Sequence, residues 1–285
     1  MRVGWLALAA NVALAVLKIT VGVLGRAYVL VADGIESTAD IFSTIIVMGS
    51  LRYSAKPADD DHPFGHGKAE SIASVLVSVV LLGAAVLIAV QSVREIMAPA
   101  PLGPAWFTLP VLLAVIVTKE FLYRKVWHTS GEIGSTALQS DAWHHRSDAL
   151  TSAAAFVGIV IALVGGAGYE TADDWAALAA CAVIVWNGLR MLGTGINEVM
   201  DASPPPEVVA RVKTIARQVQ DVLDVEKCRV RKSGTYLTLD IHVVVKGDLS
   251  VRRGHEIAHL VKDHLVESPL RIRDVTVHVE PDSLG

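Results

Sequence analysis

Up to Pro204 the chain alternates long apolar blocks with short polar breaks, and beyond Pro204-Pro205-Pro206 the blocks stop. A helix needs about 20 predominantly apolar residues to cross a bilayer. By that rule six spans are predicted, at 5–25, 29–51, 70–97, 105–127, 136–165 and 173–197. The breaks fall at Gly25-Arg26, 52–69, 99–104, 128–135, and from Gly165 to Asp174. The run from Trp5 to Leu24 is too long for a signal core and lacks a clear cleavage site, so it reads as a first membrane helix. Arg52, Lys56 and Lys68 in the 52–69 loop, with Arg124 and Lys125 ending the fourth helix, place that side in the cytoplasm, together with both termini.

Three consecutive prolines cannot continue a helix, and the residues after them have the period of a small soluble domain. Residues 207–222 read as an amphipathic helix. Strands are predicted near 226–232 and over 235–246, where Leu237, Leu239, Ile241, Val243 and Val245 alternate with Tyr236, Thr238, Asp240 and His242. Ser250 is placed to cap a helix to about Leu265, and Val275, Val277 and Val279 mark a last strand. The expected fold is an all-α six-helix transmembrane bundle over 1–200 followed by an α+β cytoplasmic domain over 201–285. The order α-β-β-α-β of that domain suits a ferredoxin-like fold without its first strand.

Composition supports the block pattern, with 52% of 285 residues hydrophobic and a mean hydropathy of +0.47, more apolar than an average soluble domain. A net charge of -4 gives no polybasic case for nucleic acid. Cys181 and Cys228 lie far apart, which excludes a disulfide framework and a thiolate metal site. Metal chemistry must therefore use carboxylates and imidazoles.

Such groups stand inside the predicted spans. The second helix carries Asp33, Glu36 and Asp40, and the fifth carries Asp141, His144 and Asp148, each set spaced three then four. That spacing puts each set on one helical face, and the surroundings ADGIESTADIFST and SDAWHHRSDALTS are alike. An ionised residue at a helix centre costs roughly 2.5–3.5 kcal/mol, so the set costs on the order of 10 kcal/mol even with two members near an interface. No ordinary packing role offsets that. Glu36, Asp40, His144 and Asp148 offer an O, O, N, O set that suits a tetrahedral zinc or a similar small transition-metal ion. A proton relay or a structural polar seam is the alternative. Asp33 and Asp141 would support the ligands or lie nearer one membrane face.

The motifs ADGIESTAD, DDDHPFGHGKAES and SDAWHHRSDALTS together resemble the cation diffusion facilitator family, over essentially the whole chain. The resemblance implies a homodimer in a membrane, here the bacterial inner membrane, that exports a divalent metal ion in exchange for protons by alternating access. It implies a transport site at Glu36, Asp40, His144 and Asp148. Glu36 stands where aspartate or histidine is commonest in the family; zinc comes first, with iron(II), cobalt, manganese and cadmium open. Ligands must lose protons to bind metal, so the two cargoes compete, and His144 is the natural proton acceptor when metal leaves.

The resemblance also implies a second metal on the loop, held by Asp59, His62 and His66, as in one subgroup; a solvated loop is the alternative. Lys68 would interlock by charge with Asp201. In the tail it implies a regulatory site of His242, His255, His278 and Glu280, with Glu226 at a position where the family has histidine.

Residues 255–259 also spell HExxH on a predicted helix. A protease would need a third ligand and a cleft, and the tail leaves little room for one. The expectation is a secondary transporter and not an enzyme. A non-transporting metal sensor or scaffold of the same fold would be expected to have degraded ligands, whereas all four positions keep ligand types.

Overall fold

The computed structural model describes residues 2–24, 37, 41, 44–98, 106, 108–165 and 172–282. Contacts divide the chain into two compact units, Met1–Tyr53 with Ala69–Ile196, and Ser54–Lys68 with Asn197–Gly285. The 54–68 loop thus belongs with the C-terminal segment.

The first unit is helical: α1 (Arg2–Leu24), α2 (described at 37, 41 and 44–54), α3 (Lys68–Met97), α4 (Thr108–Ile133), α5 (Thr136–Gly165) and α6 (Ala172–Val199). Apart from α2, these helices run 23 to 30 residues, the length a bilayer crossing takes. Their burial is inverted relative to a soluble bundle. Along α3, Glu70, Ser71, Ser74 and Ser78 are buried while Leu76, Val79, Leu87 and Val90 are exposed. Apolar side chains outward and polar ones between helices is the arrangement that lipid favours. Ser74 and Ser140 join α3 to α5 by a 2.7 Å hydrogen bond between their hydroxyls.

Two boundaries differ from expectation. The break predicted at 128–135 is shorter, because α4 continues to Ile133. It stops at Gly134, which takes a left-handed φ of 69° that other residues avoid. Ser135 then caps α5, its hydroxyl accepting from the Leu138 amide at 3.1 Å.

On α6, a Cβ at Gly188 would lie 2.8 Å from Leu82 Cδ2, and one at Gly195 would lie 2.9 Å from Val75 Cγ2. The two helices approach as only small residues allow. Gly195→Val should therefore lower the melting temperature of the detergent-solubilised chain by about 2–6 °C, the effect of overpacking one close contact. An unchanged transition would show that the helices separate without cost.

The second unit adds α7 (Pro206–Ala216), β1 (Asp224–Ser233), β2 (Tyr236–Val245), α8 (Val251–Val266) and β3 (Ile272–Pro281). Pro206 opens α7, where a missing amide hydrogen costs nothing. That helix ends well short of 222, the second difference. The Leu223 amide already donates to Val244 in the sheet at 2.8 Å, so the chain must turn first, through Asp221 at φ 71°. The strands lie in the order β1-β2-β3, β1 antiparallel and β3 parallel to β2. The parallel pairing requires a crossover, which α8 supplies. Ser250 caps α8, accepting from the Arg253 amide at 3.2 Å. Leu239, Ile241, Val243 and Val245 of β2 pack with Val212, Ile257, Val261, Leu265 and Val275 into one core. The opposite face of β2 stays half-exposed and carries His242.

Candidate metal sites

Inside the helical unit, His144 and Asp148 stand one turn apart on α5, His144 Nε2 4.0 Å from Asp148 Oδ2. The His144 side chain is buried and that of Asp148 nearly so. Asp141, one turn earlier, is buried and faces His145, with 3.8 Å between Oδ2 and Nε2. Asp33, Glu36 and Asp40 lie outside the described residues. Ser37, between the latter two in sequence, is buried and accepts from Lys18 Nζ of α1 at 2.9 Å.

Lys119 stands outside the expected ligand set. Its ammonium is fully buried and contacts Asp148 Oδ2 at 2.8 Å. It also donates to Asn11 Oδ1 at 3.2 Å, and Asn11 Nδ2 donates to Thr44 Oγ1 at 3.3 Å. A signal is present in the sequence, since a lysine within the predicted fourth span has no cheap place in a bilayer.

In the second unit the 54–68 loop gathers Asp59, His62 and His66 so that one ligand atom of each lies within 4.8 Å of the others. Asp59 Oδ1 accepts from the His62 amide at 2.7 Å and Oδ2 lies 3.4 Å from His66 Nε2. That backbone amide, ahead of the nearby imidazoles, holds the Asp59 carboxyl below the usual range. His66 Nδ1 lies 3.2 Å from the Pro57 carbonyl, which can only accept. The carbonyl takes its hydrogen bond from Nδ1, which leaves Nε2 on the side of Asp59, the ring nitrogen free to bind a metal beside that carboxylate. Gly65 closes the turn at φ 79° and donates its amide to the His62 carbonyl at 2.9 Å.

On the sheet, His242 of β2 and His278 of β3 are register partners. Their ring centroids are 4.8 Å apart. Glu280, on the same face as His278, places Oε1 2.6 Å from His242 Nδ1 and 3.7 Å from His278 Nε2. Glu226 joins them through a bulge: register shifts between Val225 and Lys227, and such an extra residue re-aims its side chain. Its hydrogen bond with Glu280 raises the Glu226 carboxyl and, with His242 next in weight, lowers that of Glu280.

His255 does not gather with this group. Its ring packs edge-on against His259, centroids 4.6 Å apart, on an exposed face of α8. Among the described residues no third His, Cys, Asp or Glu ligand converges on that pair, as HExxH hydrolysis would require. Lys68 forms an ion pair with Asp201 and donates to the Glu198 carbonyl.

A helical unit with carboxylates and imidazoles between its helices, joined to a sheet that bears further metal-type ligands, defines a membrane carrier of metal ions. The family model described as the cation efflux transmembrane domain matches residues 4–200, and that of the cation efflux protein cytoplasmic domain matches 204–282. The chain belongs to the cation diffusion facilitator family of metal transporters. It is 31% identical to the manganese efflux system protein MneP of Bacillus subtilis, over 98% of this chain and 95% of that one. With the magnetosome protein MamB of Magnetospira sp. it shares 32% identity, over 97% and 94% of the two chains. A solved MamM CTD structure is 26% identical, covering 27% of this chain and 96% of that one at a TM-score of 0.26.

Proposed function

We propose that this chain exports a divalent metal ion across the bacterial inner membrane in exchange for protons, as a homodimer working by alternating access. The observation that carries the reading is the His144/Asp148 pair on α5, the imidazole buried and the carboxylate half-buried, a nitrogen and an oxygen donor held where ionisable groups are costly. Glu36 and Asp40 of the second predicted span complete the transport ligands, with Asp33 and Asp141 supporting them. Six spans bring both termini to the cytoplasm, where Asp59, His62 and His66, and His242, His278 and Glu280, bind regulatory metal. Three carboxylates and one imidazole fit zinc first, which also stands above iron(II), cobalt and manganese in the usual affinity order. Manganese is the second reading, since the relative MneP is named for its efflux and carboxylates suit that harder ion.

The test is flux into proteoliposomes of the purified full chain with zinc, iron(II), cobalt, manganese and cadmium, with and without an acidic lumen. Saturable uptake of zinc, accelerated by the acidic lumen, is expected. No flux of any ion would favour a sensor or scaffold, and flux indifferent to the gradient would remove proton exchange.

A further inference from the structure

A buried lysine touching a carboxylate is usually read as a structural ion pair. Lys119 is placed differently. Of the two Asp148 oxygens, its ammonium holds Oδ2 at 2.8 Å. That is the oxygen 4.0 Å from His144 Nε2. A metal bonded through that nitrogen and that oxygen would sit between them, with bonds of about 2.0–2.2 Å. The ammonium thus holds the Asp148 oxygen that faces His144. A second acceptor stands ready, Asn11 Oδ1 at 3.2 Å from the same nitrogen. Asn11 is itself buried, and its amide nitrogen is spent on Thr44 Oγ1 at 3.3 Å, which fixes its oxygen toward Lys119. The chain Thr44–Asn11–Lys119–Asp148 thus runs through α2, α1, α4 and α5.

We propose that Lys119 is a tethered cation that holds the metal-facing oxygen of Asp148 in the empty carrier and withdraws toward Asn11 when a divalent ion binds. The proposal rests on reading His144 and Asp148 as transport ligands. It turns on where a positive charge sits, and no proton need leave the amine. Like-charge repulsion at a site shielded from water has two consequences. The lysine weakens metal binding, and it speeds release by returning to Asp148 as the metal departs. With three carboxylates and a divalent ion, its charge also brings the loaded site to neutrality, which suits a low-dielectric surrounding.

The experiment uses the full chain in detergent and in proteoliposomes, with zinc as the probe. Lys119→Met should tighten zinc binding about tenfold or more, the effect of removing one neighbouring charge, and lower both KM and the maximal rate of flux. Lys119→Arg, which keeps the charge, should stay within about threefold of wild type. A purely structural lysine gives the opposite sign, since losing a support for Asp148 weakens binding. Unchanged or weaker zinc affinity in folded Lys119→Met overturns the proposal. If that variant does not fold, Lys119→Gln combined with Asp148→Asn, which leaves no buried charge unpaired, is compared with Asp148→Asn alone. A further gain in affinity on adding Lys119→Gln supports the proposal, and no gain overturns it. Asp148→Asn alone separates the two claims. Undiminished flux in that variant removes the transport site itself, whereas abolished flux with unchanged Lys119→Met affinity removes only the tethered cation.

Discussion

Asp148→Asn is expected to reduce zinc flux in proteoliposomes by about 100-fold or more, since even changes behind a metal ligand cost 10–100-fold. Asparagine is the informative replacement. It keeps a carbonyl acceptor for the Lys119 ammonium, 2.8 Å from the native carboxylate, but takes away its buried counter-charge, a loss of about 3–5 kcal/mol, so a thermal melt of the variant accompanies the flux assay. What it removes is the negative charge that a neutral amide oxygen cannot supply to a divalent ion. His144→Ala should fall in the same range, because the imidazole is the one nitrogen donor proposed for the site. Asp141→Asn should cost less, since Asp141 faces His145 at 3.8 Å and not the His144/Asp148 pair. Flux in Asp148→Asn within about twofold of wild type would take α5 out of the transport site.

The α5 pair is legible in the sequence because its signal is local. Identical spacing on two helices, with charges where charges are expensive, needs no knowledge of packing. The loop set Asp59, His62 and His66 is legible for the same reason, its members lying within one turn-forming segment. Lys119 escapes sequence reasoning because its meaning is relational: a lone lysine acquires a role only when α4 and α5 pack and bring it to Asp148. Glu226 shows the same limit in a sheet for the hydrophobic period, and only the family resemblance sets it beside the tail site. Strict alternation along β1 says nothing about a bulge, and the bulge is what turns its carboxylate to Glu280. The family resemblance joins His255 to the tail site, yet the crossover helix carries it to a pairing with His259. The expected end of α7 lies too late because amphipathic spacing continues through Val219 and Val222, both of which pack on the core from turns. Periodicity marks which residues are inward, and the demand of β1 for its partner strand decides where the helix must stop.

Removing Glu280 is expected to abolish metal binding at the sheet. Glu280 is its centre, 2.6 Å from His242 and 3.7 Å from His278, with Glu226 hydrogen-bonded to it. Zinc titrated into the full chain carrying Asp148→Asn should lose one bound equivalent per protomer when Glu280→Ala is added. The thermal response should change with it. A site saturated at about a hundredfold over its Kd stabilises the folded state by about 2.7 kcal/mol, and that increment should vanish. The acid dependence has a definite sign. Glu226 is raised by its hydrogen bond with Glu280, while Glu280 is lowered. As pH falls, the first proton goes to Glu226, and metal must displace it to use the full set of ligands. Zinc affinity should therefore weaken from the upper end of the carboxylate range downward, and Glu226→Gln, which cannot ionise, should flatten that slope. An unaltered slope in Glu226→Gln would take Glu226 out of the competition between proton and metal, and an unaltered stoichiometry in Glu280→Ala would leave the sheet cluster a hydrogen-bonded surface with no metal to hold.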